Sequence, residues 1–214
     1  MNIVPPFIPN SDDDMHCVSA VFRMVLKHFQ NEDMTWKQID TITKTIPGKG
    51  VWTVPGDIML TKRGITVINI EPIDYEALYK EGVTYLTKIF GEQTATYYLE
   101  RSNIAAVIPD IPEFIELVRH ETRRANVEEI AHWIKLGNLV GVTINSTILN
   151  NKLGFALHYV LVYNFDGTHF HLHDPGLPPV PSRKVMMDEF EKSFVYPGGN
   201  GGIEVFSLKG FTGV

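Results

Sequence analysis

The sequence predicts an α+β domain in which a mainly helical first half packs against an antiparallel sheet formed by the second half. Apolar residues recur at helical spacing from Cys17 onward and again within 126–138, whereas the segments after Gly137 are rich in β-branched and aromatic residues. Helices followed by strands differ from the strict alternation of a doubly wound sheet. With 214 residues and 44% hydrophobic content, the chain fits one domain, residues 1–214. Its helical lobe is expected over about 11–137 and its sheet lobe over about 138–210.

The first predicted helix begins at Cys17, the only cysteine of the chain. Its apolar side chains share one helical face: Val18, Val21, Phe22, Val25, Leu26 and Phe29. Ser11 and the acidic run 12–14 offer capping oxygens before it. A structural cysteine would be expected on the apolar stripe, whereas a thiol at a helix N-terminus is placed where backbone N–H groups favour the thiolate.

The remaining elements follow from periodicity and turn residues. Helices are predicted over 35–46, 53–64, most of 74–101, 112–121, 126–138 and 186–194. Strands are predicted over 65–70, 139–145, 156–166, 168–174 and 202–208. The dipeptide Asp166-Gly167 marks a hairpin turn between two of these strands.

Charge and composition exclude several classes of function. The net charge is −6, and the densest basic patch, "RHETRR" at 119–124, has the spacing of a solvated helix face. We therefore expect neither nucleic acid nor an anionic membrane surface as a partner. One cysteine leaves no internal disulfide, and the start of the chain has neither the basic nor the apolar region of a signal peptide. A cytoplasmic protein without a membrane span is expected, and the oligomeric state stays open.

A histidine and an aspartate lie where a cysteine nucleophile would need them. Such a nucleophile requires a base for its proton and a third group that orients the base. His158 lies in the strand "LHYVLVYNF", on the opposite face from Tyr159, Leu161 and Tyr163. Asp174 ends the next strand, where Pro175 stops it, so that the carboxylate lies one hairpin away. The sequence therefore predicts an imidazole and a carboxylate side by side, facing the thiol across a cleft.

At these residues the sequence resembles the papain-like cysteine peptidases, specifically the branch that removes leader peptides from bacteriocins. In that family a cysteine begins the first helix within C-G-x-x-x-x-x-M-V-L-x-[HY]-[YF], and here the run is "CVSAVFRMVLKHF". The family's H-[YFW]-V-x-V is here "HYVLV", and its D-P about sixteen residues later is Asp174-Pro175. The resemblance covers about 10–64 and 127–176. It implies a papain-like fold with Cys17, His158 and Asp174 as catalytic residues, a peptide or protein substrate or an acyl donor, and no cofactor or metal.

Two departures from the family pattern affect the expected oxyanion site. The family's glycine after the cysteine is Val18 here, which restricts the approach of backbone to a substrate carbonyl. The family's upstream glutamine is also missing, since residues 1–29 contain no glutamine. Asn10 is predicted to take its place as an oxyanion donor together with the Cys17 N–H. His16 either faces the cleft or is merely exposed, and the acidic run 12–14 is a candidate rim that favours basic substrates.

The predicted function is a cysteine-dependent hydrolase that forms a thiol acyl-enzyme. One alternative keeps the same triad chemistry but transfers the acyl group, as in an acyltransferase or a transglutaminase-like enzyme. The other alternative is not an enzyme: a catalytically silent module that binds a peptide. Val18 and the missing glutamine favour the binding module, whereas the triad opposes it. The alternating His169, His171 and His173 suit a metal, but an exposed strand face is the simpler interpretation. Trp52 is predicted either to line the groove or to belong to the core.

Overall fold

The computed structural model describes residues 4–196 and 201–208. Its helices are α1 (Cys17–Gln30), α2 (Trp36–Thr43), α3 (Val54–Lys62), α4 (Tyr75–Glu81), α5 (Val83–Phe90), α6 (Glu92–Arg101), α7 (Ile104–Val107), α8 (Ile111–Leu117), α9 (Val127–Lys135), α10 (Ser146–Leu149) and α11 (Met187–Phe194). Its strands are β1 (Thr66–Glu71), β2 (Arg119–Thr122), β3 (Leu139–Asn145), β4 (Leu157–Phe165), β5 (His169–Asp174), β6 (Val180–Met186) and β7 (Ile203–Ser207). The terminal residues of the predicted 1–214 domain lie outside these ranges.

The strands form one seven-stranded sheet in the order β2-β1-β7-β3-β4-β5-β6. Every neighbouring pair is antiparallel except β1 and β2, which run parallel. The α+β class is confirmed. The sheet differs from the prediction in that it contains two strands that were not predicted, β2 and β6. Strand β7 joins the pair of β1 and β2 to β3.

Hydrophobic clusters cover both faces of the sheet. The face with Tyr159, Leu161 and Tyr163 packs against a cluster formed with α1 and α3 and the helices that follow β1. The opposite face, with Val160 and Val162, packs against α9 and α11. The alternation predicted for the strand around His158 is therefore confirmed, and α1 is held against β4.

The predicted helix 112–121 is wrong in its second half. Helix α8 ends at Leu117, and residues 119–122 form β2, which pairs with the edge of β1. Arg119 and Arg123 both bind Glu121, a spacing of two residues that places their side chains on one side of a strand. The basic patch is thus paired with acids along a sheet edge and is not a helix face.

The predicted helical stretch 74–101 consists of three short helices, α4 to α6. Gly82 and Gly91 separate them, with φ of 63° and 79°. These are left-handed values that glycine adopts without steric cost. The interruptions explain why this stretch lacks a continuous apolar periodicity.

Across residues 4–196 and 201–208, none of the helices combines the length and apolar character that a membrane crossing requires.

Candidate active site

Cys17 is the first residue of α1, as the sequence predicts, and it is partly exposed. His16 occupies the N-cap position without a side-chain bond to the helix. Asp13 Oδ1 instead accepts the Met15 N–H at 3.1 Å, so this part of the acidic run braces the preceding turn. The Cys17 N–H belongs to the first turn of α1 and therefore has no acceptor within the helix.

His158 and Asp174 lie side by side at the ends of adjacent antiparallel strands, β4 and β5. His158 Nε2 and Asp174 Oδ1 are 2.7 Å apart, and both side chains are buried. Since Nε2 is engaged by the carboxylate, Nδ1 is the ring nitrogen left for the thiol. The structure thus brings together the predicted base and its orienting acid, named below the imidazole–carboxylate pair.

Three further groups fix the carboxylate of this pair. Arg183 Nη1 donates to Asp174 Oδ2 at 2.8 Å, and the Gly176 N–H donates to Oδ1 at 3.1 Å. Gly176 also lies so close that an added Cβ would be 3.1 Å from Asp174 Oδ1 and 3.2 Å from His158 Nε2. A glycine at this position is what allows the loop after β5 to close over the pair.

The electrostatics of the pair favour the imidazolium form of His158. Burial by itself lowers the His158 pKa, but the hydrogen bonds and charges of Asp174 and of the Cys17 side chain outweigh it and raise the pKa to about 10. Burial raises the Asp174 pKa, yet the hydrogen bond to His158 and the other donors leave it below its ordinary value. The arrangement therefore holds a cation beside the Cys17 thiol.

Asn10, the predicted oxyanion donor, has its side chain engaged within the loop before Cys17. Its Oδ1 accepts the N–H groups of Ser11 at 2.9 Å and His16 at 2.8 Å, and its Nδ2 donates to Asp14 Oδ1 at 2.9 Å. Its backbone N–H donates to the Pro175 carbonyl at 2.8 Å. Asn10 thereby ties the loop before Cys17 to the loop after Asp174, and it is absent from the cleft lining formed by the described residues.

Cys17 and His158 face a cleft of about 420 Å³. Val18 and Trp52 also line it, and Trp52 is 8% exposed, with Nε1 3.3 Å from the Tyr75 hydroxyl. Both interpretations of Trp52 therefore apply, because it belongs to the core and forms part of the cleft wall. A volume of this size is in the range of small-ligand and side-chain pockets.

The cleft also contains two buried carboxylates that the sequence analysis missed, Glu71 and Glu204. They lie on the adjacent strands β1 and β7, and Asn69 Nδ2 is 3.2 Å from an oxygen of each. Charged residues inside otherwise apolar strands, in "TVINIE" and "IEVFS", were the available signal. A third carboxylate, Asp57 in the apolar helix α3, is completely buried.

The other histidines singled out by sequence contact groups other than the thiol. His16 is buried, with Nδ1 2.9 Å from Asp13 and Nε2 3.0 Å from Asp40. His171 Nε2 is 3.2 Å from Asp166 Oδ2, whereas His173 is buried and contacts the Pro5 carbonyl. Of the alternating histidines of β5, His169 and His171 both contact Asp166, whereas His173 has a separate partner.

No protein-family model matches the chain, and neither does any curated protein. Among solved structures, the chain is similar to a double glycine motif protease from an AMS/PCAT transporter, crystallised in complex with the leader peptide. The two chains are 14% identical with a TM-score of 0.48, over 94% of this chain and 90% of that chain. The chemistry of the cleft has to be inferred from its own side chains.

Proposed function

We propose that the protein is a cysteine peptidase in which Cys17 is the nucleophile, His158 the general base and acid, and Asp174 the group that orients the imidazole. One observation carries the proposal: His158 is hydrogen-bonded to Asp174 through Nε2 and interacts with the Cys17 side chain, and both Cys17 and His158 line the cleft. A peptide or protein is the proposed substrate, in keeping with the family resemblance of the three motifs.

The reaction follows from where the proton resides. His158 holds the thiol proton, and Cys17 Sγ attacks the carbonyl carbon, so that a C–S bond forms. When the C–N bond breaks, the imidazolium gives its proton to the leaving amine. Water then attacks the thioester, His158 takes a proton from it, and the acid product leaves with the thiol restored.

The negatively charged oxygen that develops in the transition state needs hydrogen-bond donors that are not already engaged in the protein. The Cys17 N–H is one proposed donor, because the first turn of α1 leaves it without an intrahelical acceptor. The predicted second donor, Asn10, is bonded to Asp14 in this structure, so we propose to test it directly. If Asn10 donates to the oxyanion, Asn10→Ala lowers kcat by about 10²- to 10³-fold. A smaller loss with a lower melting temperature would assign it to loop positioning.

Alkylation of Cys17 by iodoacetamide tests the proposed thiol–imidazole couple. An ordinary thiol is almost entirely protonated at about pH 6, whereas a thiolate paired with an imidazolium reacts there. We expect alkylation of the wild type at about pH 6 to be at least about tenfold faster than that of His158→Ala. His169→Ala is the matched control, since His169 lies on β5 beside Asp166.

Equal rates in the wild type and His158→Ala would contradict the proposal. Incubation with a peptide library, with Cys17→Ser as the blank, then identifies the products by mass. New termini indicate hydrolysis, and peptide–amine adducts indicate acyl transfer.

A further inference from the structure

We propose that the buried carboxylates of the cleft bind a cationic side chain of the substrate, a guanidinium or an ammonium group. The name acidic wall is used below for Glu71 and Glu204. The inference rests on the proposed function, because it assigns a specificity to the same cleft. Its first support is position: the acidic wall lines the cavity that Cys17 and His158 also line.

Neutral groups among the described residues contact the acidic wall. Tyr159 donates its hydroxyl to Glu204, and Asn69 Nδ2 lies 3.2 Å from Glu204 Oε1. The Tyr75 hydroxyl donates to Glu71 Oε1 at 2.5 Å. These contacts fix the direction of the carboxylates.

Mutual repulsion among the acids adds a second support. Burial and the charge of Glu71 raise the Glu204 pKa to about 8. Burial and the charges of both wall residues raise the pKa of Asp57, behind the wall, well above its ordinary value. A cation in the cleft would relieve this repulsion, since an opposite charge favours the ionised form of a carboxyl group.

Tyr98 supplies an independent observation that points to a ligand. Its side chain lines the cleft and is only 5% exposed, yet its hydroxyl has no hydrogen-bond partner among residues 4–196 and 201–208. Burial and then the charge of Glu71 raise its pKa. Leaving such a hydroxyl unpaired is costly, and an N–H group of a bound cation would pair it.

The surroundings suit an organic cation better than a metal ion. Within the described part of the chain, no three His, Cys, Asp or Glu side chains are arranged to hold a metal. The rings of Tyr97 and Phe155, 5.2 Å apart, line the same cleft and present aromatic surface. Aromatic faces attract guanidinium and ammonium groups, whereas a metal ion requires several oxygen or nitrogen ligands.

The test compares peptides that differ only in charge. The probes are acetyl-Ala-Ala-Arg-Ala-Ala-amide and its counterpart with citrulline, which keeps the shape of arginine without its charge. Binding is measured calorimetrically with the Cys17→Ala protein, so that the result is independent of whether the thiol reacts. We expect the arginine peptide to bind at least tenfold more tightly at about pH 8, where the acidic wall is more fully ionised. A lysine and acetyl-lysine pair should behave in the same way.

Second-site variants locate the effect. Glu204→Gln and Glu71→Gln, each combined with Cys17→Ala, should remove most of the preference for arginine. Asp12→Asn removes the same charge from the exposed rim and should leave the preference intact. Tyr98→Phe should weaken binding of the arginine peptide without lowering the melting temperature, because its hydroxyl has no described partner to lose.

Equal affinity for arginine and citrulline, or no binding of either peptide, would overturn the proposal. So would a preference that Asp12→Asn abolishes and the wall variants leave intact. Because the binding assay uses a protein without the thiol, a failure here is separate from a failure of the alkylation test. The comparison of the arginine and citrulline peptides on the Cys17→Ala protein decides the matter even if a wall variant does not fold.

Discussion

Replacing Asp174 with asparagine should return the His158 pKa toward its ordinary value. The carboxylate and the Cys17 side chain together overcome burial and raise this pKa from 6.5 to about 10. That shift corresponds to about 5 kcal/mol of preferential interaction with the imidazolium. Because Asp174→Asn removes an adjacent anion, the protonated ring loses stabilisation and its pKa falls. An opposite charge at contact distance accounts for about 1 to 3 pKa units, so we expect about 8 in the variant.

The assay is an NMR titration of the protein with ring-labelled histidine. The chain has 8 histidines, and comparison with His158→Gln assigns the signal of interest. A melting curve checks the fold, because Asp174 also accepts a hydrogen bond from Arg183.

Asp166→Asn is the matched control for this experiment. Asp166 lies on the same hairpin and contacts His171 and His169. The Asp166→Asn substitution should change the titration curves of His169 and His171 and leave the titration curve of His158 unchanged. A His158 pKa that stays near 10 in Asp174→Asn, or that lies near 6.5 in the wild type, would refute the assignment of the imidazole–carboxylate pair.

Three further substitutions test other parts of the structure. Gly176→Ala should lower kcat about 10- to 100-fold with little change in melting temperature, because its Cβ would press on both members of the imidazole–carboxylate pair. Gly141→Ala should cost about 3 kcal/mol or more in a urea titration, since its Cβ would overlap the Tyr159 hydroxyl. The Glu204 pKa of about 8 lies above its ordinary 4.5, so the folded state binds the extra proton and stability falls as pH rises through that window. Glu204→Gln should remove this loss, at most about 5 kcal/mol, and urea midpoints at both ends of the window measure it.

The parts of the fold predicted from sequence are those encoded by neighbouring residues. The apolar stripe that begins at Cys17 fixes where α1 starts, and the residues of β3 agree with the predicted 139–145. The hairpin that carries His158 and Asp174 is also local, since the turn at Asp166-Gly167 sets which strand ends meet. The proximity of the imidazole and the carboxylate could therefore be predicted before the rest of the fold.

The features that sequence analysis missed depend on pairings between distant segments. Residues 119–122 form a strand only because β1 offers its edge, which outweighs the helical periodicity of the preceding residues. Glu71 and Glu204 approach each other only because β7 pairs with β1. The position of Asn10 depends likewise on its bond to Pro175 across the fold. Spacing along the chain carries no information about such contacts.

The central position of β7 has a consequence for how the protein acquires its structure during synthesis. This strand comes after all the other described elements in the chain, yet it lies between β1 and β3. Until it is made, the growing chain holds two separate sheet fragments with unpaired edges, which are prone to aggregate. Glu204 arrives with the same strand, so the cleft is completed only after β7 has been synthesised, and long-range pairing limits the rate of that step. The cleft that carries the proposed peptidase site therefore lacks one wall until β7 has entered the sheet.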